Sequence, residues 1–205
     1  MKTRTRLCIW IAGLAATLAS AGSSGDEFIS LFDGKTLSGW TPMHTDRFSA
    51  RDGVLRADGG SGWLRSAKSY KNFEFQAEYR ALKKGADSGL LFRCSGDSTP
   101  KPPHWPSKAY QLQVIDADSL LMIFGHGALS HFERDVAALQ TARKPVGEWQ
   151  TITLKVVGNR AEAALGGKRV TVSDSIHLDE GYIGLQGENG SFEWRNLKIR
   201  ELKNK

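Results

Sequence analysis

Apolar and polar residues alternate without a break from Phe73 to Leu82: Phe73, Phe75, Ala77, Tyr79 and Ala81 share one parity, and Glu74, Gln76, Glu78, Arg80 and Leu82 the other. A period of two is the signature of a strand with one face in a core and one in solvent. In Gly89 to Cys94 the apolar set is Leu90, Phe92 and Cys94, with Arg93 opposite. In Tyr110 to Asp116 it is Tyr110, Leu112 and Val114, with Gln111 and Gln113 opposite. Were these three strands neighbours, Glu78, Arg80, Arg93, Gln111 and Gln113 would converge on one sheet face suited to a polar, hydroxyl-rich ligand.

The same reading predicts further strands at Ile29 to Phe32, Phe48 to Ala50, Val54 to Ala57, Gly62 to Ser66, Trp149 to Val157, Ala161 to Leu165, Arg169 to Val172, Tyr182 to Gln186 and Phe192 to Leu202. Turn chemistry separates them, as at Asp52-Gly53, Gly158-Asn159, Gly166-Gly167 and Glu188-Asn189-Gly190. Helix signals are nearly absent. Many short strands joined by Gly-rich turns favour an all-β sandwich or jelly roll. Two segments break the pattern. Ser98 to Ser107 holds Pro100, Pro102, Pro103 and Pro106 and is expected to be an irregular loop carrying His104 and Trp105. Ser119 to Pro145, with His126, His131, Glu133 and Asp135, is weakly periodic and fits strand, short helix or loop.

The first residues read as an export signal: basic Lys2, Arg4 and Arg6, an apolar run from Leu7 to Leu18, and the small-residue pattern Ala19-Ser20-Ala21. Residues 1–21 are therefore set aside as a signal peptide and 22–205 as one domain, placed in the periplasm or secreted. Cys8 lies inside the signal, so no cysteine is placed to take a lipid anchor. Cleavage would remove three basic residues and no acidic one, halving the formal charge of +6. The remainder is within the size of a single domain, roughly 100–200 residues. Only Cys94 is left, expected as a buried thiol on the core side of its strand, so no intrachain disulfide can form. No basic stripe interleaved with aromatics suggests nucleic acid, and no further apolar run suggests a membrane partner.

A series of motifs, in order, resembles the bacterial 3-keto-disaccharide hydrolase domain family. The series comprises Ser30-Leu31-Phe32-Asp33-Gly34-Lys35-Thr36-Leu37-Ser38-Gly39-Trp40, Asp52-Gly53-Val54-Leu55, Phe73-Glu74-Phe75 running to Glu78-Tyr79-Arg80, and Asp87-Ser88-Gly89-Leu90-Leu91-Phe92-Arg93. It continues through Tyr110-Gln111-Leu112-Gln113-Val114-Ile115-Asp116, Gly147-Glu148-Trp149, Gly184-Leu185-Gln186 and Arg195-Asn196-Leu197-Lys198-Ile199. The resemblance spans roughly Phe28 to Leu202. It implies a concanavalin A-like jelly roll of two antiparallel sheets and a carbohydrate substrate: a glycoside whose ring carries a ketone at C3. The chain departs from the family's usual residues at Asp87 (asparagine), Gln111 (glutamate) and Gln150 (asparagine). Gln111 keeps the shape and hydrogen bonding of a glutamate but cannot carry a proton.

A C3 ketone acidifies the C2 hydrogen, so a base can remove it and the C1 substituent can leave before water adds. That route needs a base, a partner for the enolate and an acid for the leaving oxygen. Glu78 is the first candidate base, its bland alternative being an ion pair with Arg80 or Arg93. Arg80 and Arg93 are candidates for holding the enolate. Glu188, two residues beyond Gln186, is the second candidate for proton transfer. Gln111, Gln113 and Gln186 suit sugar hydroxyls, His126 could titrate near neutrality, and Trp105 could stack on a ring. Trp40, Trp149 and Trp194 are expected in the core. No His, Cys or carboxylate spacing marks a metal site and no cofactor is predicted, though a structural calcium held by loop oxygens leaves little trace in sequence. The leading expectation is an exported hydrolase or lyase on 3-keto-disaccharides or 3-keto-glycosides. A non-catalytic carbohydrate-binding module of the same fold is the alternative, and a two-carboxylate glycosidase using Glu78 and Glu188 is a third.

Overall fold

The computed structural model describes residues 27–203; the proposed signal at 1–21 lies outside them. The first strands in chain order are β1 (Ile29–Ser30), β2 (Trp40–Met43), β3 (Phe48–Arg51), β4 (Val54–Asp58), β5 (Gly62–Tyr70), β6 (Phe73–Ala81), β7 (Asp87–Cys94), β8 (Ala109–Ile115), β9 (Ile123–His126) and β10 (Glu133–Arg134). After the helix α1 (Val136–Ala142) come β11 (Gln150–Val157), β12 (Arg160–Leu165), β13 (Lys168–Ser173), β14 (Gly181–Gly187) and β15 (Ser191–Glu201).

All pairings are antiparallel, in two sheets. The larger runs β10-β13-β12-β11-β6-β15-β4-β3, with β1 also against β15; the smaller runs β2-β5-β14-β7-β8-β9. The inner parities of both sheets meet in one core: Phe73, Phe75, Tyr79, Leu154, Trp194 and Ile199 from the larger, and Leu64, Leu90, Phe92, Tyr110, Leu112 and Leu185 from the smaller. This is the expected all-β jelly-roll sandwich, whose outward faces point in opposite directions.

Four elements were not expected as such. β2 contains Pro42, which removes a ladder donor and is tolerated because β2 is an edge strand. β9, β10 and α1 lie in the segment that sequence left undecided. The Asp135 side chain caps α1 by accepting from Ala138 N at 2.8 Å.

β6 is not a neighbour of β7 and β8. Its polar parity covers the outer face of the larger sheet, whereas that of β8 covers the outer face of the smaller one. The predicted convergence of Glu78 and Arg80 with Gln111 and Gln113 therefore does not occur.

Arg93 is also displaced. It adopts φ 52°, and the register of β14 against β7 shifts beside it, so that Tyr182 pairs Cys94 while Gly184 pairs Leu91. The bulge turns Arg93 inward and 1% exposed, donating to Leu178 O and, at 3.2 Å, to Gly158 O. The guanidinium thereby ties the segment before β14 to the β11–β12 turn of the other sheet. Burial lowers its pKa, opposed by Asp179, and it has no place on the solvent face. The same bulge sends Cys94 away from the main core into a small cluster with Trp63, Leu91 and Ala109. Burial raises this thiol well above its ordinary range.

Candidate active site

The free face of the smaller sheet carries a connected polar network. Gln111 Oε1 meets His126 Nε2 at 2.8 Å and accepts from Gln186 Nε2 at 3.2 Å. Gln111 Nε2 donates to Gln113 Oε1, and Gln113 Nε2 donates to Asp87 Oδ1. Alternation dictates this placement: Tyr110, Leu112 and Val114 go to the core, so Gln111 and Gln113 go out. His126 follows from the β8–β9 register, in which Ala109 pairs His126 and Gln111 pairs Phe124. Gln111, Gln113 and Gln186 are buried, and Gln186 Oε1 has no hydrogen-bond partner among the described residues.

Two glycines let large side chains lie flat on this face. A Cβ on Gly89 would stand 2.7 Å from Gln111 Cγ and 2.8 Å from Gln186 Oε1. A Cβ on Gly184 would meet the Trp63 ring at 2.5 Å. The proline-rich segment anchors along one end: Trp63 Nε1 donates to Ser98 Oγ at 2.9 Å, Arg65 donates to Gly96 O at 2.6 Å, and His104 N donates to Ser61 O at 2.8 Å. The His104 ring stacks on His44 with centroids 4.4 Å apart. Trp105, half-buried, rides on this loop.

The other end holds two carboxyls. Asp87 and Asn189 exchange backbone hydrogen bonds at 2.7 and 3.0 Å, which brings the Glu188 turn against the start of β7. Burial raises the Asp87 pKa, with the Ser88 amide pulling the other way. Glu188, exposed at its rim, is raised by partial burial of the carboxyl and then by the charge of Asp87. Burial lowers the pKa of His126, which favours the neutral ring. A poised carboxyl pair, a neutral imidazole and three carboxamides can exchange protons and bind hydroxyls.

Glu78 and Arg80 lie on the opposite face of the molecule. Arg195 Nε donates to Glu78 Oε2 at 2.5 Å and Asn196 Nδ2 to Oε1 at 3.2 Å. Burial works to raise the Glu78 pKa, but these hydrogen bonds and the Arg195 charge outweigh it and lower it, the wrong direction for a base. Arg80 pairs with Glu193 at 2.6 Å. Trp149, expected in the core, is instead half-exposed with the guanidinium carbons of Arg80 and Arg195 at 4.7 and 4.1 Å from its ring centroid. Trp40 and Trp194 are core residues as expected. The structure thus unites Gln111, Gln113, Gln186, His126 and Glu188, and separates from them Glu78, Arg80 and Arg93. A two-carboxylate site built from Glu78 and Glu188 is ruled out. Asp87, Trp63 and Arg65 were missed as site-face residues; the two-residue spacing of Asp87 from Gly89 and of Trp63 from Arg65 carried the signal.

A two-sheet antiparallel sandwich with a polar network on one free face is the architecture in hand. The family model described as "3-keto-alpha-glucoside-1,2-lyase-like domain" matches residues 27–200, and the chain belongs to that family. A 3-keto-disaccharide hydrolase of Bacteroides thetaiotaomicron is 29% identical over 157 residues, 64% of this chain and 53% of the relative. The chain thus spans about half the length of the curated relative it matches. Among solved structures, a candidate glycosyl hydrolase from Parabacteroides distasonis superposes with TM-score 0.67 at 19% identity, covering 86% of this chain and 94% of the other. The carbohydrate-binding module CBM66 of Bacillus subtilis gives TM-score 0.63 at 16% identity over 80% and 96% of the two chains. At these identities the two structures share the fold alone.

Proposed function

We propose that the protein is an exported enzyme that cleaves 3-keto-disaccharides or 3-keto-glycosides on the free face of the smaller sheet. The observation that carries this reading is that Glu188 and Asp87 stand together at the end of the amide network, both carboxyls raised by burial and Glu188 further by the charge of Asp87. Family membership and the relative's name support a carbohydrate substrate.

In this mechanism the ionised member of the pair, assigned to Asp87, whose charge raises Glu188, takes the C2 proton. The C2–H electron pair moves onto the C3 oxygen as an enolate, held by carboxamide N–H groups. The enolate then re-forms the ketone as the C1–O bond breaks, and the protonated member, Glu188, gives its proton to the leaving oxygen. Water adds to the resulting enone, its hydroxyl at C1; Asp87 returns its proton to C2 and Glu188 takes the remaining one. Both carboxyls are thereby reset, and the net reaction is hydrolysis. Gln111, Gln113 and Gln186 bind ring hydroxyls, His126 orients Gln111, and Trp105 borders the face. The route begins outside the cytoplasm, after removal of residues 1–21.

The second reading is a binding module without turnover, favoured by one observation: the hub of the network is Gln111, which carries no titrating proton. Incubation with a disaccharide and with its 3-keto form separates the two. Release of monosaccharide from the oxidised form alone supports the enzyme; binding of either without cleavage supports the module.

A further inference from the structure

β9 is the edge strand of the site face, and Phe124 is its outward residue between Ile123, which is in the core, and Gly125. The ring is 42% exposed, although its strand neighbour two positions on, His126, hydrogen-bonds into the network. In register Phe124 stands opposite Gln111, the hub of that network. The loop between β7 and β8 does not bury it. Its end at Ser107 abuts Gly127 instead, where a Cβ would stand 2.4 Å from Ser107 O. A large aromatic is thus left open to solvent on the same face as, and directly beside, the buried amides. From Gln186 on β14 to Phe124 on β9 is three strand spacings, about 14 Å, which exceeds the width of one pyranose ring and accommodates two.

We propose that Phe124 is the stacking platform for the second sugar of the substrate, the one released, so that the protein prefers disaccharides to glycosides with small aglycones. The inference rests on the reading of this face as a 3-keto-glycoside site. One face of a pyranose ring presents C–H groups, which lie favourably on an aromatic ring, while its hydroxyls reach the edge-strand backbone and His126. The oxidised ring then occupies the carboxyl end of the network, over Gly89 and beside Asp87 and Glu188. Phe124 contributes binding and alignment and no proton.

The test is isothermal titration of wild type, Phe124→Ala and Phe124→Trp with an unoxidised disaccharide and with methyl 3-keto-glucoside, alongside turnover of the 3-keto-disaccharide. Phe124→Ala is expected to weaken disaccharide binding about tenfold, to leave the methyl glycoside unchanged, and to raise KM for the 3-keto-disaccharide. Phe124→Trp is expected to restore or exceed wild-type disaccharide affinity. Equal loss for both ligands, no loss for either, or a wild type that binds no disaccharide would overturn the platform. Disaccharide binding that responds as expected in a protein without turnover would keep the platform and reject the enzyme.

Discussion

The Gln111 side-chain oxygen is shared by two partners, the His126 ring at 2.8 Å and the Gln186 amide at 3.2 Å. A single carboxamide thereby joins strands β9, β8 and β14 on the free face of the smaller sheet. Such a hub fixes several side chains at once, and the His126 nitrogen that faces its oxygen must be the one that carries a proton.

Replacing Gln111 by Glu puts a carboxylate against the His126 ring. The imidazolium then gains an opposite charge, which counteracts the lowering caused by burial. The His126 pKa, followed by NMR titration of its ring protons, is expected to rise relative to wild type. An unchanged titration would show that the two groups do not meet in solution.

Arg93→Ala is expected to destabilise the fold by about 3 kcal/mol, because it removes a buried guanidinium and leaves the Leu178 and Gly158 carbonyls unpaired. Denaturant melts check this. Glu78→Gln and Arg80→Ala remove surface pairs of the other sheet and are expected to cost less than about 1 kcal/mol each. Turnover in both should match wild type.

Gly89→Ala introduces a methyl carbon 2.7 Å from Gln111 Cγ. The glutamines must move off the face, so activity and saccharide affinity are expected to drop at least tenfold, while circular dichroism retains the wild-type sheet signal. Wild-type activity in this variant would mean that the network does not contribute.

The carboxyl pair makes a signed pH prediction. Asp87 and Glu188 have folded pKa values above the unfolded ones, so their neutral forms favour the fold. That contribution is fully present below the unfolded carboxyl pKa and is lost as pH rises through the folded values. Asp87→Asn removes a burdened charge and is expected to stabilise the protein at neutral pH relative to acid. It also removes the charge that raises Glu188, so the Glu188 carboxyl should titrate at lower pH. Thermal melts and NMR titration of the Glu188 carboxyl across pH of about 4 to 8 read both effects.

Much of this was legible in the chain. Alternation placed β6 and β8 and chose the inward parity of each, and the turn signals separated the strands. Alternation cannot say to which sheet a strand belongs: a sandwich has two solvent faces, and Glu78 and Gln113 obey the same period on opposite ones. The inward turn of Arg93 depends on a left-handed backbone at a residue other than glycine, for which its sequence gives no mark. Glu188 was legible because it lies two positions beyond Gln186. Asp87 was visible only as a departure from its family, since its meaning depends on Gln113 and on the distant Glu188 turn. Phe124 lay in the one stretch whose period was too weak to orient it.

The most direct measurement is the release of monosaccharide from a 3-keto-disaccharide, and from the unoxidised sugar, by the wild type and by Glu188→Gln, with binding followed in parallel. Cleavage of the oxidised sugar alone is expected of the wild type, and a loss of at least about a hundredfold in kcat is expected of Glu188→Gln with binding retained. Full turnover by Glu188→Gln, or cleavage of the unoxidised sugar at an equal rate, would contradict the proposed mechanism.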